Sequence, residues 1–231
     1  MAGGRLIGVG VGPGDPQLIT LKALGALEAA DRVVAPTSSA AEQGRAEAVV
    51  RSVLPNTRVS RVAFDMSGGD DHRQAHQLLP WLEAGETVAF VTLGDPNMYS
   101  TFASIARRVR QLSPSTEVDT VPGIMAFQDL AARCGRPLAT SDDCLYLVTG
   151  LSGTADLERA LAAGRAAVVV YKGGRHLPEV ARALERAGRL EGAVVGERLG
   201  LAGERVGPVS ELRWAPAGYL ATVVVPPPER R

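Results

Sequence analysis

The ten residues from Leu6 to Asp15 constrain the fold more than any other stretch of the chain. They read L-I-G-V-G-V-G-P-G-D, an apolar run with glycine at every second position, and Pro16 follows. Side chains alternate between the faces of a strand, so these glycines leave one face bare for a helix, a ligand or another backbone. Gly12-Pro13-Gly14 predicts a sharp turn, and Asp15 before Pro16 is typical of a helix N-cap. Open α/β sheets bind ligands at such a strand end.

The same succession of buried strand, glycine turn and helix occurs twice more. A second apolar strand, 86–93, ends at Gly94-Asp95-Pro96 and leads into a helix that reaches about Leu112. A third strand, 117–121, is stopped by Pro122-Gly123-Ile124. Continuous apolar character is typical of central parallel strands, whose carboxyl ends meet at one edge of a sheet. The three turns are therefore expected to converge on one crevice.

The remaining elements predict two α/β domains, 1–138 with a mostly parallel sheet and 139–231 with a mixed sheet, separated by the polar break near 135–143. Closing strands with little helix between them indicate antiparallel pairs in the second domain. The apolar periodicity predicts further helices at 16–29, 40–54, 71–83, 154–163 and 177–188, and further strands at 31–35, 58–64, 144–149, 166–171, 193–197, 205–209 and 219–225.

Composition narrows the classes of function. The 231 residues carry no net charge, which argues against a general nucleic-acid-binding protein. No apolar run approaches a membrane span, and glycines and one arginine lead directly into the first strand without a signal-peptide pattern, so we expect a cytoplasmic protein. Only Lys22 and Lys172 among the 25 Lys and Arg residues are lysines, which makes Lys172, at a strand end, the better candidate for a functional cation.

The chain has little that would predict a metal site. His72 and His76 lie four residues apart after Asp70 and Asp71, but H-R-Q-A-H lacks the glutamate of H-E-x-x-H, and no third ligand is evident. We expect no metal here, and interpret the aspartates as helix caps. The two cysteines, Cys134 and Cys144, form no zinc or C-x-x-C pattern and are expected to be buried apolar groups.

Four motifs in this order carry a family resemblance: V-G-V-G-P-G-D-P-Q-L-I-T-L-K-A, T-L-G-D-P-N-M-Y-S-T-F, V-P-G-I and Y-K-G-G-R. The dinucleotide fingerprint G-x-G-x-x-G is not met, because its last position falls on Pro13 or on Asp15. From about Arg5 to Val225 the chain resembles the tetrapyrrole methyltransferases, transferases that use S-adenosylmethionine. Within that family the motifs look most like the branch that methylates precorrin-2 or cobalt-precorrin-2 at C(20), which implies a role in cobalamin biosynthesis and, more broadly, a relation to porphyrin biosynthesis.

This resemblance implies two α/β domains, a trough for a small-molecule tetrapyrrole, a homodimer, and S-adenosylmethionine as the methyl donor, with S-adenosylhomocysteine as product. In the first domain it assigns the methionine part and sugar of the cofactor to Pro13, Leu93, Gly94, Asp95, Met98, Tyr99, Ser100 and Thr101. In the second domain it assigns the adenine to Gly150, Leu151, Tyr171, Lys172, Leu199, Ala221 and Thr222.

Methyl transfer from a sulfonium to an electron-rich carbon is an in-line displacement that needs few catalytic side chains, because alignment of the reactants and exclusion of water can accelerate it. A base must then remove a proton, and Asp15 on the first turn is the candidate. Arginines suit the acetate and propionate groups of the substrate. No pattern typical of a Ser-His-Asp or Cys-His nucleophile occurs.

Several alternatives stay open at this point. Asp15 and Asp95 could act only as helix caps, and Tyr99 and Phe102 could belong only to the core. Within the family, the C(11) precorrin methyltransferases and uroporphyrinogen-III methyltransferase are possible, whereas the branch that methylates ribosomal RNA has a different opening motif. From other classes, a Rossmann-type NAD oxidoreductase lacks its fingerprint here, and a sensing module without catalysis would not need the intact G-D-P-x-x-Y-S-T segment.

Overall fold

The computed structural model describes residues 3–37, 43–63, 71–212, 217–218 and 220–228. The chain divides into two compact units, Met1–Met125 and Ala126–Arg231. This division precedes helix α5 (Ala126–Arg133), whereas the sequence placed the boundary after residue 138. The difference arises because α5 packs against the last strand of the second sheet.

The first unit is built on a five-stranded sheet in which every pair is parallel. The strand order is β3-β2-β4-β1-β5. The mostly parallel sheet expected for the first half is therefore confirmed. The strands are β1 (Arg5–Gly10), β2 (Arg32–Thr37), β3 (Val59–Ala63), β4 (Thr87–Thr92) and β5 (Glu117–Val121), and the helices are α1 (Leu21–Glu28), α2 (Arg45–Val53), α3 (Asp71–Glu83) and α4 (Phe102–Leu112).

Apolar side chains of β1 pack into a separate hydrophobic core on each face of this sheet. Ile7 and Val9 belong to the cluster that includes residues of α1 and α2, and Leu6 belongs to the cluster that includes residues of α3 and α4. On the latter face, a Cβ added to Gly8 would lie 2.4 Å from the ring of Phe102. The first strand glycine therefore admits an aromatic side chain of α4 into the core, and Phe102 is a core residue.

The helix expected at 16–29 is interrupted. A single 3-10 turn spans Pro16–Leu18, Ile19 is extended, and α1 begins only after Thr20. Thr20 acts as the N-cap because its hydroxyl oxygen accepts a hydrogen bond from the amide of Ala23 at 3.1 Å. A threonine in the middle of an apolar periodic stretch thus starts a new helix, because its side chain satisfies an otherwise unpaired helical amide.

The second unit is a mixed sheet, as the sequence predicts. Its order is β6-β7-β10-β8-β9, with β6 and β7 parallel and the other neighbours antiparallel. After α5 come β6 (Cys144–Thr149), α6 (Ala155–Ala162), β7 (Ala166–Tyr171), α7 (Leu177–Arg186), β8 (Val194–Glu197), β9 (Arg205–Pro208), α8 (Val209–Leu212) and β10 (Ala221–Val225).

The prediction that both cysteines are buried is wrong. Cys144 is exposed and Cys134 is partly exposed. Cys144 opens β6, an edge strand whose next residues, Leu145 and Tyr146, are also exposed. Composition favours a buried cysteine, but it does not tell which strand will form the edge of a sheet. Within the described residues, no helix is both long enough and apolar enough to cross a membrane.

A buried carboxylate stabilises the first unit. Glu47 on α2 is fully buried and accepts hydrogen bonds from the Nε atoms of Arg51 at 2.8 Å and Arg61, on β3, at 2.7 Å. Burial raises the pKa of Glu47, but the hydrogen bonds from Arg61 and Arg51 outweigh it, so that its pKa lies below the ordinary value. The ion pairs thus hold a charged group in the interior that would otherwise oppose folding.

Replacing Glu47 with glutamine is expected to destabilise the protein by about 2 kcal/mol at pH 7, because hydrogen bonds to charged groups are the stronger ones. The depressed folded-state pKa means that this contribution is present above the unfolded-state pKa and is lost as the pH falls through the folded-state pKa. Urea unfolding from pH 7 to pH 3 measures it. An equal loss of stability at both pH values would contradict the role of the charge.

Candidate functional site

The three glycine turns of the first unit meet, as the sequence predicts. The amide of Gly94 donates to the carbonyl of Gly12 at 2.8 Å, pairing the turn after β1 with the turn after β4. A Cβ on Gly123 would lie 2.1 Å from the carbonyl oxygen of Gly94, and one on Gly10 would lie 2.4 Å from the same atom. Only glycine fits at these contacts, so that three backbone segments can pack with no side chain between them.

Asp95 fixes the turn after β4 to the turn after β5. It is 9% exposed; its Oδ1 accepts from the amide of Asn97 at 2.8 Å, and its Oδ2 accepts from the amide of Gly123 at 3.1 Å. The N-cap of the following helix α4 is Thr101, not Asp95. The reading of Asp95 as the cap of that helix is therefore wrong, because its carboxylate joins two turns instead.

The segment 98–101 contains a residue in an uncommon backbone conformation. Tyr99 has φ +53° and is 42% exposed, so it is not a core residue. Next to it, the hydroxyl of Ser100 donates to Oγ1 of Thr92 at 3.0 Å and its oxygen accepts from the amide of Phe102 at 3.1 Å. Left-handed non-glycine residues occur often at functional sites, where neighbouring contacts maintain them. Ser100 supplies such contacts here.

Replacing Asp95 with alanine is expected to destabilise the protein by about 1–3 kcal/mol, since two partly buried hydrogen bonds from the amides of Asn97 and Gly123 lose their acceptor. Asparagine is expected to be little better, because its amide nitrogen would face one of the two N–H donors. Urea unfolding of both variants measures the effect. Stability within about 0.5 kcal/mol of the parent would contradict this structural role.

Asp15 and Pro13 lie in the first turn. Pro13 is buried, whereas Asp15 is partly exposed at the start of the 3-10 turn. The Oδ1 of Asp15 accepts from the amide of Gln17 at 2.9 Å. The N-cap predicted from Asp15-Pro16 is thus present, and it occupies one carboxylate oxygen of Asp15.

In the second unit, the predicted residues Gly150, Tyr171 and Lys172 lie at one edge of the sheet, where β6 and β7 end. The amide of Gly150 donates to the carbonyl of Tyr171 at 2.7 Å, and a Cβ on Gly150 would lie 2.5 Å from Cα of Gly173. Tyr171 is buried, and its hydroxyl oxygen accepts a hydrogen bond from the amide of Phe127 at 3.3 Å. Lys172 has φ +57°.

The other predicted residues of this unit differ in exposure. Thr222, 1% exposed, pairs in register with Tyr171 on one side and with Gly196 on the other. Leu199 is buried and close to Gly196, where a Cβ would lie 2.8 Å from Cδ2 of Leu199. The remaining members of the set are Ala221, which is buried, and Leu151, which is 53% exposed.

The sequence reasoning missed Glu197, the last residue of β8. It is buried, and it accepts from Nε of Arg205 at 2.8 Å and from the amide of Gly218. Burial raises the pKa of Glu197, but the hydrogen bonds from Arg205 and Gly218 bring it below the ordinary value. The signal that could have found it is the repeated G-E-R, at 196–198 and 203–205.

The described residues contain no group of three His, Cys, Asp or Glu side chains that could hold a metal ion. Asp70, which the sequence placed near His72 and His76, lies outside the described residues, as does Tyr219, the expected start of the last strand.

Comparison with known proteins identifies the family to which the chain belongs. The model of the tetrapyrrole (corrin/porphyrin) methylases matches residues 5–213, and the chain belongs to this family. The family resemblance drawn from the motifs is thereby confirmed.

Relatives that match nearly the whole chain include two C(20)-methyltransferases. The precorrin-2 C(20)-methyltransferase of Sinorhizobium sp is 36% identical over 238 residues, which cover 96% of this chain and 95% of that protein. The cobalt-precorrin-2 C(20)-methyltransferase of Salmonella typhimurium is 30% identical over 233 residues, 96% of each. The crystal structure of a uroporphyrin-III C-methyltransferase from Thermus thermophilus, complexed with S-adenosylhomocysteine, has the same fold: TM-score 0.68, 24% identity, 96% of this chain and 97% of that one.

Proposed function

We propose that this protein transfers a methyl group from S-adenosylmethionine to C(20) of precorrin-2 or cobalt-precorrin-2 in cobalamin biosynthesis. The observation that carries the proposal is the similarity to the two C(20)-methyltransferases, which covers 96% of the chain in each case. The proposed partners are a small-molecule tetrapyrrole and a second copy of the chain, and the proposed compartment is the cytoplasm.

Both units contain residues that we propose bind the cofactor. In the first unit, residues 93–101 and Pro13 would hold the methionine part and sugar, since the glycine contacts leave backbone groups of the turns without covering side chains. In the second unit, Gly150, Lys172 and the Tyr171–Thr222 pair would hold the adenine. S-adenosylmethionine supplies an electrophilic methyl group on a sulfonium, so the residues of the chain have mainly to align the reactants and exclude water.

S-adenosylhomocysteine is expected to bind with micromolar-range affinity and to raise the melting temperature, because a ligand that binds only the folded state stabilises it. NAD is expected to have no effect, since the dinucleotide fingerprint is missing. Thermal unfolding at a series of ligand concentrations measures both. Stabilisation by NAD and none by S-adenosylhomocysteine would overturn the cofactor proposal.

The choice of substrate is tested by offering labelled S-adenosylmethionine with one tetrapyrrole at a time. We expect label in precorrin-2 or cobalt-precorrin-2, and none in uroporphyrinogen III. Transfer to uroporphyrinogen III alone would place the protein in a different branch of the family. Light scattering in the same buffer is expected to give twice the mass of the chain.

A further inference from the structure

The loop that follows β8, residues 198–204, is held by a dense set of hydrogen bonds. The amide of Leu201 donates to the carbonyl of Arg198 at 2.9 Å, and the amide of Gly200 donates to Oε2 of Glu204 at 2.6 Å. Both carboxylate oxygens of Glu204 also accept from Nη1 of Arg133, on α5, at 2.8 and 2.9 Å. The loop is therefore fixed to the helix α5 rather than being held only by its ends.

Arg198, the first residue of this loop, has an unusual backbone and a defined side-chain position. Its φ is +57°, which a long side chain adopts at a cost in free energy. A Cβ added to Gly203 would lie 3.1 Å from Nη1 of Arg198, so the guanidinium lies directly against a residue that has no side chain. The guanidinium thus packs against Gly203 while the residue as a whole stays exposed.

The neighbouring arginines donate hydrogen bonds to carboxylates, whereas Arg198 interacts with Glu197 through its charge alone. Arg205 donates to Glu197, and Arg133 donates to Asp129 and Glu204. Across the part of the chain that the structure describes, the guanidinium of Arg198 donates no hydrogen bond. All its donors thus remain available to a ligand, and the planar guanidinium matches a carboxylate through two parallel hydrogen bonds.

Arg198 also lies where a ligand of the proposed reaction would bind in this unit. It follows the carboxyl end of β8, and the proposed cofactor residue Leu199 is its neighbour in the chain. Lys172, also in the left-handed conformation, follows the carboxyl end of β7. Because β7 and β8 both flank β10 antiparallel to it, the two residues emerge at the same edge of the sheet.

We propose that Arg198 binds a peripheral carboxylate of the tetrapyrrole substrate and thereby orients the ring for methylation. This inference rests on the proposed function, because the acetate and propionate groups of the tetrapyrrole supply the anion. The cofactor carries a carboxylate of its own, and separate measurements with each ligand distinguish the two sources.

The test compares three variants of the full-length protein with the parent: R198M, R198K and R198N. Methionine removes the charge at similar length, lysine keeps the charge without the planar fork, and asparagine removes the charge while tolerating the left-handed backbone. We expect KM for precorrin-2 to rise about 10-fold to 100-fold in R198M and R198N and less in R198K, as for loss of a charge-assisted hydrogen bond. The affinity for S-adenosylhomocysteine, measured by calorimetry, is expected to stay within about twofold of the parent.

The matched control is R182M, which removes an exposed arginine from α7 of the same unit and is expected to leave KM unchanged. A KM within twofold of the parent in both R198M and R198N would overturn the inference, as would an equal loss of S-adenosylhomocysteine affinity. If the parent protein itself fails to methylate precorrin-2, the proposed function fails, and this outcome is separate from an active parent with insensitive variants.

Discussion

Replacing Asp15 with asparagine is expected to lower turnover by about 10²–10⁴-fold, the usual contribution of a positioned base. Asp15 is the proposed proton acceptor after methyl transfer. Its Oδ1 accepts from the amide of Gln17, and the amide oxygen of asparagine can still accept this hydrogen bond, but an amide takes no proton near neutral pH. The cap, the turn and the affinity for S-adenosylhomocysteine are therefore expected to survive, and steady-state kinetics with cofactor calorimetry separates the two effects.

Two further variants make this result specific. D15S keeps an N-cap residue without a carboxylate and is expected to be as slow as D15N. D119N removes an exposed carboxylate that pairs with Arg5 at 2.7 Å on the same sheet, and is expected to leave turnover unchanged. Turnover of D15N within about threefold of the parent would show that Asp15 is only a cap, leaving alignment as the source of rate.

Replacing Gly123 with alanine is expected to lower the stability of the first unit by about 3 kcal/mol, at the upper end of overpacking effects. The added Cβ would lie 2.1 Å from the carbonyl oxygen of Gly94 and 2.9 Å from Cα of Gly10, both backbone atoms that cannot rotate away. The three turns would have to separate, and the hydrogen bond from the amide of Gly123 to Asp95 would be strained with them. Urea unfolding measures the loss of stability, and S-adenosylhomocysteine affinity is expected to fall in parallel.

Gly25 provides the matched control for this substitution. It lies in the exposed part of α1, and a Cβ there would meet no atom within 4 Å. Gly25→Ala is expected to stabilise the protein by about 0.5–1 kcal/mol, because alanine favours the helix. Equal effects of the two substitutions would mean that the contact between the turns is not tight.

The sequence predicted the convergence of the three turns because the signals there are local and strong. Glycine, proline and aspartate at the end of a buried apolar run leave few backbone alternatives, and parallel strands bring their ends together. The interruption of the helix after Pro16 was missed, because Thr20 fits an apolar periodic pattern until its hydroxyl is seen to cap Ala23. The exposure of Cys144 depends on which strand forms the sheet edge, and periodicity carries no such information.

The candidate site was predicted unevenly for the same reason. The residues of the G-D-P-x-x-Y-S-T motif are contiguous in the chain, so that a single motif match predicted all of them as cofactor-binding residues. Glu197 depends on a hydrogen bond from Gly218, which is distant in the chain, and Arg198 depends on a left-handed backbone at a residue that is not glycine. Such features follow from tertiary packing, which overrides local preference.

The position of the transferred methyl group tests the central claim most directly. The protein is incubated with precorrin-2, with and without cobalt, and with S-adenosylmethionine labelled with ¹³C in its methyl group, and the product is examined by NMR. We predict one new methyl signal, bonded to C(20) of the macrocycle. A methyl group at any other ring carbon, or no transfer to either form of precorrin-2, would contradict the proposed function.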